Sequence, residues 1–388
     1  MSAKSMTFKF WIFLLLAGCV IGLVSAYNVF TIGLSVTNMN DRVPWGFWEA
    51  VYIFLTGLSA GSFIISSLGL FGIEKFKPIS RIAIIQAIVL LVIAPTFLFL
   101  SLGNPLRFYK IYFVIMNPTS VISWGAWLLL IYPIICIIYA FYTMRRDMVK
   151  IPLSDKQLAA DNRKATFFGK LGVPAAVMVH GYTGVLLGLV AGRPLWNTAL
   201  MPVLFLTSAV VSGMALLLVI SFVMDKIGLI RVEKKLLQDL AGIMLGVLII
   251  DLFFIACEVL TGIYNHGSEH YEAMMVLING KYAWSFIGIE IILGAILPVL
   301  ILSYSRSTGA ILISCSLIIL GVLAMRWNFI IGGQVIPVYG GPNGEYVPSL
   351  IENLYVIGTF AYAGLLYTIA VLCLPLSSKI KKEETING

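Results

Sequence analysis

AGIMLGVLIIDLFFIACEVL, residues 241–260, decides what kind of protein this is. Apart from Asp251 and Glu258 the stretch carries no charge. About 20 apolar residues in a helix cross the ~30 Å hydrocarbon core of a bilayer. The run therefore reads as a membrane-spanning helix within 235–264, its two carboxylates seven residues apart and on one face. An ionisable group inside a span is costly and is kept where it faces protein or water.

Nine further runs of this kind flank it, near 10–34, 46–72, 80–103, 119–143, 165–190, 199–224, 282–303, 308–330 and 350–375. The fold class is thus an all-α polytopic membrane protein of about ten transmembrane helices. A membrane barrel would show alternating segments of about 10 residues, and none occurs. Hydrophobic residues make up 60% of the chain and charged ones 11%, which leaves no material for a soluble domain. Lys4 and Lys9 with Val24-Ser25-Ala26 resemble a cleavable leader, but the apolar run continues to Leu34, so the first stretch reads as an uncleaved helix.

The net charge of +8 is distributed as a topology signal rather than as a nucleic-acid footprint. With a cytoplasmic N-terminus, Arg42, Arg107, Lys110, Arg193, Lys281 and Arg326 fall outside, and the other 20 of the 26 Lys and Arg fall inside. Both termini are then cytoplasmic, in the inner membrane of a prokaryote, with lipid headgroups as partners of the basic excess and no nucleic acid.

Histidines and cysteines limit the chemistry. Haem in a membrane bundle needs paired axial ligands. Of three histidines, His180 has no partner at its depth, and His266 and His270 sit in the polar connection 265–281. The five cysteines, Cys19, Cys136, Cys257, Cys315 and Cys373, are isolated in five different runs. The expectation is no haem, no iron–sulfur cluster and no metal site in this chain. If the chain takes part in redox chemistry, a partner must carry the electrons.

The inner connection 144–164 is charged and reads as a solvated loop. Two longer outer connections stand out: 265–281, with His266, Glu269, His270, Tyr271 and Glu272, and 331–349, where Gly332-Gly333-Gln334 and Gly340-Gly341-Pro342-Asn343-Gly344 read as turns. Arg107, Arg193 and Arg326 each fall at an outer helix end beside aromatics. They read either as snorkelling side chains or as an outer face that docks a polar partner.

Several segments together resemble the polysulfide reductase family of membrane subunits, the NrfD/PsrC type. They are Pro44-Trp45-Gly46-Phe47-Trp48-Glu49 with Phe54 to Gly61; Leu102 to Phe108; Asn117-Pro118-Thr119-Ser120 with Ser123-Trp124-Gly125-Ala126-Trp127; His180-Gly181-Tyr182-Thr183-Gly184 with Gly192 to Asn197; and Arg326-Trp327-Asn328 with Gly332-Gly333-Gln334, which matches the ten-helix members. The resemblance implies two four-helix bundles, helices 2–5 and 6–9, flanked by helices 1 and 10. The chain then divides into 1–45, 46–190, 191–330 and 331–388. It further implies a quinone site, menaquinone or ubiquinone, near the outer surface. A ferredoxin-like iron–sulfur subunit lies beside it, linked to a molybdopterin or hydrogenase catalytic subunit.

A quinone site needs an apolar slot, hydrogen-bonding groups at the carbonyls and a group that exchanges protons. Tyr182, His180, Glu49 and Tyr52 have that chemistry. By resemblance, Tyr182 matches a tyrosine that bonds a quinone carbonyl. Tyr52, on the same helix face as Glu49, stands where some members carry histidine, so Glu49 or His180 takes over the proton role. Asp251, Glu258 and, in helix 8, Glu290 are read as a proton path through the second bundle or as neutral acids bonded between helices. The rival functions are a bare anchor for the partner subunits and an ion or proton transporter without electron transfer. The charge asymmetry predicts that cysteines introduced at Ser268 and Asn343 are labelled in intact cells by an impermeant thiol reagent. Labelling only after the inner face is opened reverses the orientation.

Overall fold

The computed structural model describes residues 6–113, 117–149, 152–228, 230–336, 338 and 343–376. Gly340, Gly341 and Pro342 of the outer loop, Lys4, Lys150, and Lys379, Lys381 and Lys382 of the tail lie outside the described residues. Ten described helices are long and apolar enough to cross a membrane: α1 Met6–Ile32, α2 Phe47–Phe71, α3 Glu74–Ser101, α4 Val121–Met148, α5 Asp155–Gly188, α6 Met201–Lys226, α7 Lys234–Tyr264, α8 Trp284–Tyr304, α9 Thr308–Val335 and α10 Leu350–Cys373. No strand occurs among the described residues. The protein is an all-α integral membrane protein.

The helices α2 to α5 close one four-membered ring, each packed on the next and α5 on α2, and α6 to α9 close a second in the same way. The helices α2 and α6 form the seam between the rings, while α1 and α10 pair with each other and α10 rests on α3. In lipid no hydrophobic gradient drives helices together, so close backbone approach supplies the packing. A Cβ on Gly61 of α2 would lie 2.2 Å from the Ala209 carbonyl oxygen, and one on Gly213 of α6 only 2.7 Å from the Ser62 nitrogen. Gly22 with Gly358 does the same for α1 and α10, and Gly294 with Gly321 for α8 and α9.

Three outer or inner connections differ from their reading as loops. Most of 144–164 is helical, because helix outlasts hydropathy: α4 runs on to Met148 and α5 starts at Asp155. Ser154 and Gln157 make a capping box there, and Arg145 Nη1 donates to Asp161 Oδ1 at 2.9 Å across the two helix ends. Gly332 and Gly333 are not turns. Asn328–Gly332 is a π-helical turn and Gly333–Val335 continues α9. Glycine is required at 333 because a Cβ would stand 1.9 Å from Trp196 Nε1. Within 265–281, Glu269–Ile278 is a short helix capped by Ser268.

The outer connections are tied to the start of α2. Tyr346 donates to Glu352 and accepts from the Phe47 N–H at 2.8 Å. Burial first, then the bond to Glu352, pushes the Tyr346 phenol well above its ordinary pKa. Arg193 Nη1 donates to the carbonyls of Gln334 (2.7 Å) and Ile336 (2.9 Å).

Removing an N-cap hydroxyl costs about 0.5–2 kcal/mol. Ser154→Ala should therefore accelerate amide exchange across 155–163 while Ser154→Asp preserves protection. Exchange at free-chain rates in the parent protein would mean that this segment is the solvated loop after all.

Candidate functional site

A cavity of about 630 Å³ lies in the first ring. It falls in the size range of small-molecule sites. Its walls come from α2 (Glu49, Tyr52, Ile53), α3 (Pro95 to Leu102), α4 (Ile122, Ala126, Leu129) and α5 (Tyr182 to Leu187), with Phe108 and Tyr112 from the α3–α4 connection. Leu102, Phe108 and Ile122 at the rim are exposed, so the cavity opens at the side of the bundle. Most of the lining is apolar, and a few polar groups converge on it. The hydroxyls of Tyr52 and Tyr182 stand 3.3 Å apart. The buried Glu49 carboxyl caps α2, its Oε2 accepting the Gly46 N–H at 2.8 Å.

The remaining motif residues hold this cavity in shape. A Cβ on Gly125 of α4 would be 2.1 Å from the Tyr182 ring, so Gly125 is the seat on which that ring lies. Trp45, part of the lining, stacks on Trp196 with ring centroids 5.5 Å apart. The Gln334 side chain brackets Trp45, accepting its N–H at 3.0 Å and donating to its carbonyl at 2.7 Å. Neither Gly125 nor Gln334 was a candidate from sequence. Their only signal was membership of the Ser123–Trp127 and Gly332–Gln334 segments.

Tyr182, Tyr52 and Glu49 therefore come together, and His180 does not join them. Two residues along α5 from Tyr182, it turns to the opposite side and is fully buried. Its Nε2 lies 3.2 Å from Arg326 Nη2. A guanidinium can only donate, so Nε2 accepts and the proton sits on Nδ1. Gly57 of α2 makes room for the imidazole, since a Cβ there would be 2.8 Å from His180 Cε1.

The three arginines have three different fates. Arg107 is exposed in the Pro105–Arg107 turn. Arg193 is half-buried and holds the end of α9 through its two carbonyl contacts. Arg326 departs from the outer-face reading: it is 0% exposed, at the junction of α5, α6 and α9. Hydropathy and neighbouring aromatics report where a helix ends, not which way a side chain faces. Nη2 also donates to Ser208 Oγ (2.8 Å) and the Phe205 carbonyl (3.2 Å), and the guanidinium lies over the Phe205 ring at 4.0 Å.

Two of the buried acids, Asp251 and Glu290, act on this cation from a distance. Asp251 accepts from Thr207 Oγ1. Glu290 Oε2 accepts from Asn328 Nδ2 at 2.7 Å. That bond joins two π-helical segments, Trp284–Ile296 in α8 and Asn328–Gly332 in α9. Such segments are rare in helices and recur at functional sites. Glu258, two turns nearer the C-terminal end of α7 than Asp251, accepts from Thr198 Oγ1 at 2.9 Å and lies 3.7 Å from His270 Nε2. Among the described residues no three His, Cys, Asp or Glu side chains gather as metal ligands.

An apolar cavity with paired hydroxyls thus lies in one helical ring of this membrane protein, beside a buried ionic cluster in the other. The family model "Polysulphide reductase, NrfD" matches residues 35–338, which run from the connection before α2 to just beyond α9. The chain belongs to the NrfD polysulphide reductase family. It is 30% identical to the Hdr-like menaquinol oxidoreductase integral membrane subunit of Archaeoglobus fulgidus, over 91% of this chain and 90% of that one. A selenate reductase subunit of Mesobacillus selenatarsenatis is 28% identical, over 95% and 94%. A polysulfide reductase component of Wolinella succinogenes is 27% identical over 76% of this chain and 95% of its own length.

Overpacking, as a methyl group at Gly125 would cause, costs about 1–3 kcal/mol. Gly125→Ala should accordingly lower thermal stability in detergent. The loss should shrink in the Gly125→Ala/Tyr182→Ala pair, where the ring is gone, relative to the sum of the single effects. Strict additivity would show that the ring does not rest on Gly125.

Proposed function

We propose that this chain is the quinone-interacting membrane subunit of a respiratory oxidoreductase complex in a prokaryotic cytoplasmic membrane. The observation that carries the proposal is the cavity: about 630 Å³, apolar, open at the side of the bundle, with the Tyr52 and Tyr182 hydroxyls 3.3 Å apart in its lining. A ring with a prenyl tail can enter such a cleft from lipid. The two tyrosines would hold its head group, and Glu49 would exchange protons beside it. The quinone supplies two-electron, two-proton chemistry, while the chain positions the head group and shields it from water. The names of the menaquinol-linked relative and of the reductase subunits support both the substrate class and the assembly. Menaquinone or ubiquinone is the substrate, and electrons pass to or from the clusters of a ferredoxin-like iron–sulfur partner. That partner joins a molybdopterin or hydrogenase catalytic subunit. Arg107, exposed beside the cavity, suits the docking face, and both termini are cytoplasmic. A bare anchor has no use for a cleft with converging hydroxyls.

The buried trio Arg326, Asp251 and Glu290 supports a second component, proton movement through α6 to α9 with Glu258 towards the outside. His180 enters this reading as the acceptor that orients Arg326. A transporter without electron transfer would use the same acids. It would not need the cavity in the other ring.

Tyr182→Phe removes one hydroxyl and keeps the ring on Gly125. A lost hydrogen bond is worth roughly 0.5–1.5 kcal/mol net, so quinone affinity should fall by about 2- to 12-fold. Turnover from the partner's clusters to a water-soluble dye should stay at the parent level. Parent-level quinone turnover across a full titration would remove Tyr182 from the head-group site and favour the bare anchor.

A further inference from the structure

We propose that His270 and Glu258 form a proton-exchange site at the outer mouth of the second ring, with the imidazole as the group that meets water. The inference deepens the proton-movement reading above and rests on it for its role in turnover.

Proton counting carries the argument. His270 Nδ1 is 3.0 Å from the Pro194 carbonyl oxygen, which has no proton to give, so Nδ1 carries the hydrogen. Nε2 is then the variable nitrogen. It is buried, has no hydrogen-bond partner, and points at Glu258 Oε1, equally buried and unpartnered, at 3.7 Å. With no proton between them, a lone pair faces a carboxylate oxygen across a dry gap. With one proton, on either atom, the two attract. Every other polar valence nearby is committed. Glu258 Oε2 is held by Thr198 Oγ1, and Nδ1 by Pro194. The arrangement thus holds one exchangeable proton.

Exposure sets the route. The Glu258 side chain is 3% exposed and that of His270 26%, so the imidazole is the member of the pair that reaches towards water. Because Nε2 itself is buried, it takes up or gives up its proton when the ring swings away from Glu258. The local fold makes room for the pair. The short helix Glu269–Ile278 lays His270 onto α7, where Gly262, one turn from Glu258, leaves space: a Cβ there would be 3.0 Å from the ring's Cδ2 and Nε2. Among the described residues, the polar side chains facing Glu258 are His270 and, from the α5–α6 connection, Thr198. Glu269 and Glu272 flank His270 in the first turn of its own helix, and His266 packs on Tyr271 with ring centroids 4.7 Å apart. Inward, Asp251 lies on the same face of α7, about 10 Å of rise away and too far for a direct bond.

The test uses the whole complex in sealed vesicles with the outer face of the protein outward. A carbodiimide reacts with a protonated carboxyl, and mass spectrometry reads the modified Glu258. In the parent, labelling should follow a jump in external pH promptly. In His270→Gln, whose amide can still bond Pro194, the response should slow at least tenfold. In His270→Ala, added imidazole should restore it. An equally fast response in both variants, no restoration by imidazole, or no labelling of Glu258 in the parent would each overturn the proposal. Proton movement during quinone turnover is recorded in parallel with a pH dye. If the parent moves no protons while Glu258 labelling still tracks external pH through His270, the exchange site stands and the proton-coupling reading falls.

Discussion

The interior of this protein is organised around one buried cation. Arg326 has no contact with solvent, and a guanidinium in such surroundings is tolerable only when its donors are used and its charge is balanced. Four elements meet most of that demand, Arg326 Nε alone among its nitrogens being left without a partner. The helix α5 offers His180 Nε2, α6 offers Ser208, the Phe205 carbonyl and the Phe205 ring, and α7 and α8 bring Asp251 and Glu290 into its field. Because α5 belongs to one ring and the others to the second, the same cation fixes the two rings in register. One guanidinium neutralises one carboxylate, so two acids in its field leave the trio with an unbalanced carboxyl, which is the electrostatic support for the proposed proton movement.

The helix α5 is the wall between the cavity and the buried cation. Successive helical residues turn by about 100°, so two positions apart is nearly the far side. Tyr182 therefore faces the cavity while His180 faces Arg326. A change of charge or hydrogen bonding at one face is separated from the other by a single helix in a medium that screens poorly. The π-helical segments add to this. An i→i+5 turn leaves the ladder locally out of step, and the Glu290–Asn328 bond ties two such places together beside the same cation. Helices α8 and α9 pack there through Gly294 and Gly321, with no side chain to wedge between them.

What was legible in the sequence follows from which forces are local. Spans were readable because lipid demands apolar length, so all ten were found to within a few residues at most ends. The start of α5 was missed by about one helical segment because its first turns, from Asp155, are charged helix beyond the membrane, and hydropathy has no opinion about those. Glu49 and Tyr52 share a wall of the cavity, as three-residue spacing requires, and Tyr182 meets Tyr52 there. His180 could not be placed, since its direction depends on Arg326, 146 residues away. Gly333 reads as a turn for the same reason: a glycine that admits a distant ring looks like a glycine that makes a turn until the ring is known.

The helices outside the matched family segment are bound into the site rather than appended to it. Glu352, fully buried in the first turn of α10, accepts the N–H of Asn38 at 3.0 Å, the N–H of Ser349 at 2.8 Å and the Tyr346 hydroxyl. Trp48 of α2 donates to the Glu352 carbonyl at 3.2 Å, and its ring packs on Tyr355, which packs in turn on Phe97 of α3. Each of these contacts lies within a turn or two of Glu49 or of the cavity wall on α3. A carboxylate with that many donors cannot be released without leaving several backbone groups unsatisfied in an apolar setting. The α1–α10 pair is therefore a brace that sets where α2 begins, and with it the position of Glu49 and Tyr52.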